Sequence, residues 1–495
     1  MYRVIVIPFL YICVLILLPL FLVLITPLLL YRRIVARLCQ LVGGPSIGKI
    51  LNATATSHAC IGGKGSNILP LTVEGVPDLA HIKAQFTEKI LNAKDPAGGD
   101  APLYPELRQT IVSWGGYFFW ADIPNFTLPI RLLDIDPIDI DSKEGINLLR
   151  TLYKREWKFG QEAFWELVIV PGVGGKFCVL FIMHHALADG FSMQKLVNKV
   201  SQPPIVEAKK KVTLQVPGKR GAAVVSLVKT LLRIPYDIAT YLEALLTTLL
   251  RSPGQVNSGN MQEIEKIPNA GMTISTASVS LAEMKQISTG HAVSLSTLLI
   301  SAVQGSIRKF GNTPNGLLYF PLPQPFHPEK LRNVAGMGYI ELSQNVTCPD
   351  NLKRVEQQFQ TLKVSTFPGM VNFLGSLSGS LPPFLLRRTI SGAKSARNMR
   401  NYVASIFVVY RNPFHLFGYP VVGLGSCGSG LEDTNAIAFF IISSHDKICI
   451  SVMGDSEILT EQEGKSLLDG MLGEVELFRD ALDPRDHVQI AIDKN

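Results

Sequence analysis

The stretch Lys176-Phe-Cys-Val-Leu-Phe-Ile-Met183, followed by His184-His185-Ala186-Leu187-Ala188-Asp189-Gly190, decides the fold. The apolar run has the length and composition of a buried strand, and Phe191-Ser-Met-Gln-Lys-Leu-Val197 reads as the start of a helix. A strand that ends in paired imidazoles, with an acid and a glycine just beyond, suits proton transfer. Neutral histidine is the side chain best matched to accepting a proton near pH 7, which makes His185 the candidate general base. The plainer alternative is two histidines satisfied at the rim of a core, with Asp-Gly as ordinary turn chemistry. Four fixed positions at one strand-to-helix break weigh against it. A metal site is rejected. Adjacent side chains diverge along an extended chain, and neither an HExxH pattern nor a CxxC pair supplies further ligands.

At 495 residues the chain is long for one core and fits an anchor plus two domains. A hydrophobic share of 47% and a mean hydropathy of +0.24 point toward lipid contact. The net charge of +7 suits an anionic membrane surface or the phosphates of a coenzyme substrate. Nucleic acid is not read as a partner, because the basic residues are scattered and no recognition motif occurs. Seven dispersed cysteines fit reduced core thiols in a cytosolic setting better than a disulfide framework. Sequons at Asn52, Asn125 and Asn345 would matter only on a lumenal domain.

Residues 4–31 carry no charge and are followed by Arg32, Arg33 and Arg37. At about 1.5 Å per residue this run more than crosses a ~30 Å hydrocarbon layer. It exceeds the roughly 7–15 apolar residues of a cleaved signal, so an uncleaved, single-pass N-terminal anchor is expected. The flanking arginines place the downstream side in the cytosol, at the endoplasmic reticulum or plasma membrane. Pro8, Pro19 and Pro27 are read as kinks, with a re-entrant hairpin as the alternative.

The rest divides into an N-terminal α/β domain over 41–203, a basic linker and amphipathic crossover over 204–260, and a C-terminal domain over 261–495, after an anchor over 1–40. In the first domain, 79–94 reads as a helix, 116–121 as a strand, and 164–170 with 177–183 as a hairpin. The crossover reads as two helices, 224–234 and 236–250, broken at Pro235. They either pack on the core or lie on a membrane interface. In the last domain 280–287, 293–309 and 461–478 read as helices, and 436–442 with 448–453 as a closing hairpin. Arg387, Arg388, Lys394, Arg397 and Arg400 could meet phosphates or anionic lipid, but a solvated helix face is the simpler reading.

His184-His185-(x)3-Asp189-Gly190 resembles the active-site signature of CoA-dependent acyltransferases, and HHALADG looks most like the wax ester synthase/diacylglycerol acyltransferase family. The resemblance takes in Trp165-Glu166-Leu167 before the motif, the 293–309 helix, Pro321-Leu-Pro323 and Gly336-Met-Gly338. It implies an α/β fold of two CAT-like domains, here with an N-terminal transmembrane helix, and a tunnel with His185 at its midpoint. Acyl-CoA is then the co-substrate, no bound cofactor is needed, and a long-chain alcohol or diacylglycerol is the acceptor. His185 takes the acceptor's proton without an acyl-enzyme; Asp189 orients the loop through an arginine, Gly190 permits a tight turn, and His184 packs behind the base. Trp165 is expected to pack in the core. Family members often carry Asn-Asp where this chain has Ser296-Thr297, and an Asn-Val-Pro-Gly-Pro stretch where it has only Asn412-Pro413. The acceptor pocket and any oxyanion donor are therefore left unassigned. Plant BAHD enzymes share HxxxD but carry a DFGWG box that is lacking here, and condensation domains share HHxxxDG but accompany carrier domains. A different acceptor (a sterol, an amine or a small alcohol) and a non-catalytic lipid-binding protein remain open.

Overall fold

The computed structural model describes residues 2–44, 46–96, 99–203, 220–251, 271–310, 316–322, 327–334, 336–342, 348–388, 401–410, 412–431, 436–444 and 446–482. The expected linker over 204–219, the sequon Asn345 and the basic residues Lys394, Arg397 and Arg400 lie outside these residues.

The motif strand, Lys176–His184, is central in an eight-stranded sheet. It pairs antiparallel with Trp165–Pro171 on one side and with Ser66–Glu74 on the other, the latter in unbroken register from Ser66↔His184 to Glu74↔Lys176. Every residue of it after Lys176 is buried. This explains a continuous apolar run in place of the alternation that a half-exposed strand shows. Trp165 is 1% exposed, stacks on Phe86 at 4.7 Å and donates its indole N–H to the Leu107 carbonyl. It packs the core, as expected. The expected helix at 79–94 is helical through Phe86 and continues as a π turn, Thr87–Leu91.

A six-stranded sheet forms the second domain. Its order is Gly336–Glu341, Leu317–Leu322, Asn401–Tyr410, Ala436–Ser444, Lys447–Asp455 and Met272–Ser280. The helices Leu295–Phe310 and Glu461–Asp480 pack in its core. Thr460 and Glu463 close the start of the latter with a reciprocal capping box. Between two strands of this sheet the chain leaves for the first one. Tyr419–Leu424 and Gly428–Ser429 pair with Ser66–Glu74, and His415–Leu416 pairs with Ser201–Gln202. The segment 415–429 thus belongs by pairing to the first domain's sheet, although in sequence it falls within 261–495. This exchange of strands fixes one domain against the other.

Two sequence expectations need correction. Pro235 does not break the crossover, because Arg220–Arg251 is one helix that includes it. Nor do the three prolines fold the N-terminal segment back as a hairpin: Tyr2–Val42 is a single helix of 41 residues. Pro8, Pro19 and Pro27 are all exposed on it.

Candidate active site

The backbone at the strand end is held by a glycine loop. His185 N–H donates to the Gly65 carbonyl at 3.0 Å, and His184 Nε2 lies 3.1 Å from the Gly62 carbonyl. Gly62 and Gly65 both take φ of +97°, a conformation that L side chains rarely adopt. His184 is fully buried, with its ring edge-on to Phe164. The Ala186 N–H donates to its Nδ1 at 3.0 Å, so Nε2 carries the proton and gives it to Gly62. Both nitrogens are used. Burial pushes its pKa down to about 4, and it stays neutral as a fixture behind the site.

His185 is held differently. Asn333 Nδ2 lies 2.7 Å from its Nδ1 and 3.1 Å from its carbonyl oxygen, and its Nε2 has no protein partner among the described residues. The ring of His58, from the helix Ala53–Cys60, stacks on it at 4.0 Å between centroids and 4° between planes. Desolvation lowers the pKa of His185 and drives that of His58 well down, with the neighbouring imidazoles adding to the effect at His58. A proton on either stacked ring would repel one on the other, so the pair is kept neutral near pH 7.

Asp189 does not point at a reacting position. It caps the helix Gly190–Val200, accepting from Ser192 N–H at 2.8 Å. The same carboxylate accepts from Val334 N–H at 3.1 Å, and both its oxygens lie 3.1 Å from His327 Nε2. Burial alone would raise its pKa, but the bonds from His327, Ser192 and Val334 outweigh it and hold the carboxyl below its usual value. Asp189 therefore orients the loop as expected, but through a histidine and not an arginine. Gly190 is also needed for another reason than the expected one. Its φ is not positive; a Cβ there would sit 2.8 Å from the Phe407 ring, which comes from the second sheet.

The segment 327–334 thus closes the site from the second domain. Besides His327 and Asn333, its Arg332 carbonyl accepts from Ser192 Oγ at 2.8 Å, and Lys195 Nζ donates to the carbonyls of His327 and Pro328. His58, His327 and Asn333 are absent from the sequence reading, since each is a lone polar residue with no spacing to mark it. The one local signal is the run Gly62-Gly63-Lys64-Gly65. Of the basic cluster, Arg387 is described and lies over the Phe118 ring at 5.8 Å. A cavity of about 540 Å³, lined by Thr72, Cys178, Phe414, Leu424 and Cys449, opens by the start of the motif strand. No motif residue lines it, so it is not the reaction centre.

Two α/β domains with an HHxxxDG loop closed between them define the fold of the CoA-dependent acyltransferases. The chain resembles a wax ester synthase/diacylglycerol acyltransferase from Marinobacter aquaeolei VT8 at a TM-score of 0.51 and 13% identity, over 86% of this chain and 98% of that one. It is also similar to the first condensation domain of the calcium-dependent antibiotic synthetase, at a TM-score of 0.59 and 12% identity, over 89% and 98%. The starter condensation domain of rhizomide synthetase, solved as a double mutant in complex with C8-CoA and Leu-SNAC, gives 0.53 and 12% over 89% and 96%. At these identities the likeness concerns the fold alone. The sequence of the site adds to this: residues 163–295 match the wax ester synthase/diacylglycerol acyltransferase catalytic domain. The whole His184–Gly190 loop lies inside the matched segment, and the resemblance read from HHALADG is borne out.

Proposed function

We propose that the protein transfers a fatty acyl group from acyl-CoA to a long-chain alcohol, giving a wax ester, or to diacylglycerol, giving triacylglycerol. The observation that carries this reading is the contrast within the matched segment: His184 and Asp189 spend their bonding atoms on the fold, while the Nε2 of His185, between two domains, meets no protein partner among the described residues. In this mechanism Nε2 takes the hydroxyl proton as the acceptor oxygen attacks the thioester carbonyl. The C–S bond then breaks, and the proton passes from the imidazolium to the departing thiolate. Thioester and alcohol meet in one complex, so no acyl-enzyme is formed. Acyl-CoA is a co-substrate, and no bound cofactor takes part.

A base at Nε2 needs the ring proton on Nδ1. Asn333 as placed donates from Nδ2 to the His185 carbonyl and faces Nδ1 with an N–H, which favours the opposite tautomer, so the mechanism requires the Asn333 amide to turn its oxygen to Nδ1 in the reacting complex. Its placement from the other domain ties the base to domain closure. General-base help of this kind is worth about 10²–10⁴-fold, and holding both substrates in line can contribute more. The apolar helix Tyr2–Val42, whose most apolar window has a mean hydropathy of 3.0, would hold the catalytic body at a bilayer where such acceptors partition, on the cytosolic side.

The test uses membranes from cells expressing the wild type, supplied with labelled palmitoyl-CoA and either hexadecanol or diacylglycerol. Labelled wax ester or triacylglycerol above the background of untransfected membranes is expected, and the product names the acceptor. Label appearing only in sterol, amine or small-alcohol products would replace the acceptor. No labelled product with any acceptor would overturn the enzymatic reading in favour of lipid binding.

A further inference from the structure

The sequence suggests a helix that crosses the membrane once, with its two ends on opposite sides. The structure ties both ends to the same body. Near the start, Arg3 pairs with Glu243 at 3.0 Å and with Glu341 at 2.6 Å, on the crossover helix and the second sheet. Towards the end, Arg32 donates to the Leu51 carbonyl and lies over the Tyr117 ring, both in the first domain. In between, Val14 is buried in the second domain's core cluster together with Ile238 of the crossover helix. The buried positions Val14, Ile25, Val35 and Cys39 form one stripe at helical spacing along the whole element. A helix of 41 residues is about 60 Å long, twice the hydrocarbon thickness. A crossing would carry the domains bonded to it, with the buried carboxylates of Glu243 and Asp237, into hydrocarbon.

We propose that Tyr2–Val42 does not cross but lies in the plane of a membrane, embedding its outward side in one leaflet while its inward stripe stays on the catalytic body. The outward side is uncharged and largely apolar up to Tyr31, with Ile5, Phe9, Ile16, Leu20 and Leu24 each more than half exposed, and Arg33 and Arg37 are exposed in its last turns. Leu232 and Tyr236 of the crossover helix beside it are exposed as well. The charge pattern commits this face to a lipid surface in preference to a second copy of the chain. Residues 1–73 contain Arg3, Arg32, Arg33, Arg37, Lys49 and Lys64 and no acid, which matches anionic headgroups and would repel its own copy. The inference rests on the membrane reading above and not on the chemistry of His185.

The test is topology in sealed microsomes, using the full chain with one short epitope before Met1 and another after Asn495. Proteolysis without detergent should remove both epitopes together while the protein stays with the membrane. An N-terminal epitope protected until detergent is added would overturn the proposal in favour of a crossing, and its absence from the mature chain would do so in favour of a cleaved signal. In flotation with phosphatidylcholine/phosphatidylserine vesicles, Phe9→Glu with Ile16→Glu and Leu24→Glu should lose binding while keeping the thermal melt of the wild type. A wild type that ignores such vesicles and forms a dimer would also overturn it. A failed acyl-transfer assay alters none of these readouts.

Discussion

The site is assembled from two loops of opposite legibility. The loop 184–190 of the first domain announces itself in the sequence, with two histidines, an acid and a glycine at fixed spacing. The loop 327–334 of the second domain has no pattern, yet it supplies His327 to Asp189, Asn333 to His185 and carbonyls to Ser192 and Lys195. The comparison separates naming a base from holding it. A motif marks residues whose spacing the backbone fixes, whereas a partner from another domain needs only to arrive, and any spacing in the chain will do.

The largest effect should follow from the first loop. His185→Ala removes the proposed base and is expected to lower turnover by about 10²–10⁴-fold with the fold intact, measured as kcat for acyl transfer. Asn333→Ala asks how much of that depends on the second loop. Losing the bond to Nδ1 and to the carbonyl should cost about 1–3 kcal/mol, or roughly 10–100-fold in kcat. Asn333→Asp sharpens the test. A carboxylate beside Nδ1 stabilises the imidazolium and raises the pKa of His185, so the acid limb of the kcat/KM profile should move to higher pH. In the wild type that limb should lie below the ordinary histidine value, because burial lowers the pKa of His185. An unchanged limb in Asn333→Asp would break the link between the loops.

Smaller effects concern the frame. His327→Ala leaves Asp189 buried with two backbone donors, and should cost about 1–3 kcal/mol in urea denaturation. Gly190→Ala forces the Phe407 ring aside and should cost a similar ~1–3 kcal/mol. A pH-dependent effect of similar size is expected from His184. Its pKa falls from near 6.5 unfolded to about 4 folded, so the unfolded chain binds the extra proton between those values. That contribution is complete above pH 6.5 and is lost as pH falls toward 4. The slope of stability against pH in this window should flatten in His184→Gln.

The physical reasons for what could be read are local. The motif strand is buried on both faces, which gives an unbroken apolar run, and Asp189 caps the next helix, which gives the break after it. The hairpin before it and the capped C-terminal helix are legible on the same grounds. What could not be read is long-range. Pairing of Tyr419–Leu424 and Gly428–Ser429 with Ser66–Glu74 joins residues some 350 apart, and the stack of His58 on His185 joins a helix to a strand end by packing alone. The glycine of the motif was legible as a glycine, but its reason, the Phe407 ring, lies in the other sheet. Hydropathy likewise marked the N-terminal helix as a candidate membrane element, while its docking on the body, through Arg3 reaching Glu243 and Glu341, has no local signal.

Whether His185 alone of the motif performs the proposed chemistry is decided by kcat of palmitoyl transfer for purified wild type and His185→Ala with matched thermal melts. A folded variant with turnover reduced by at least about 10²-fold is expected. Wild-type turnover in that folded variant would contradict it.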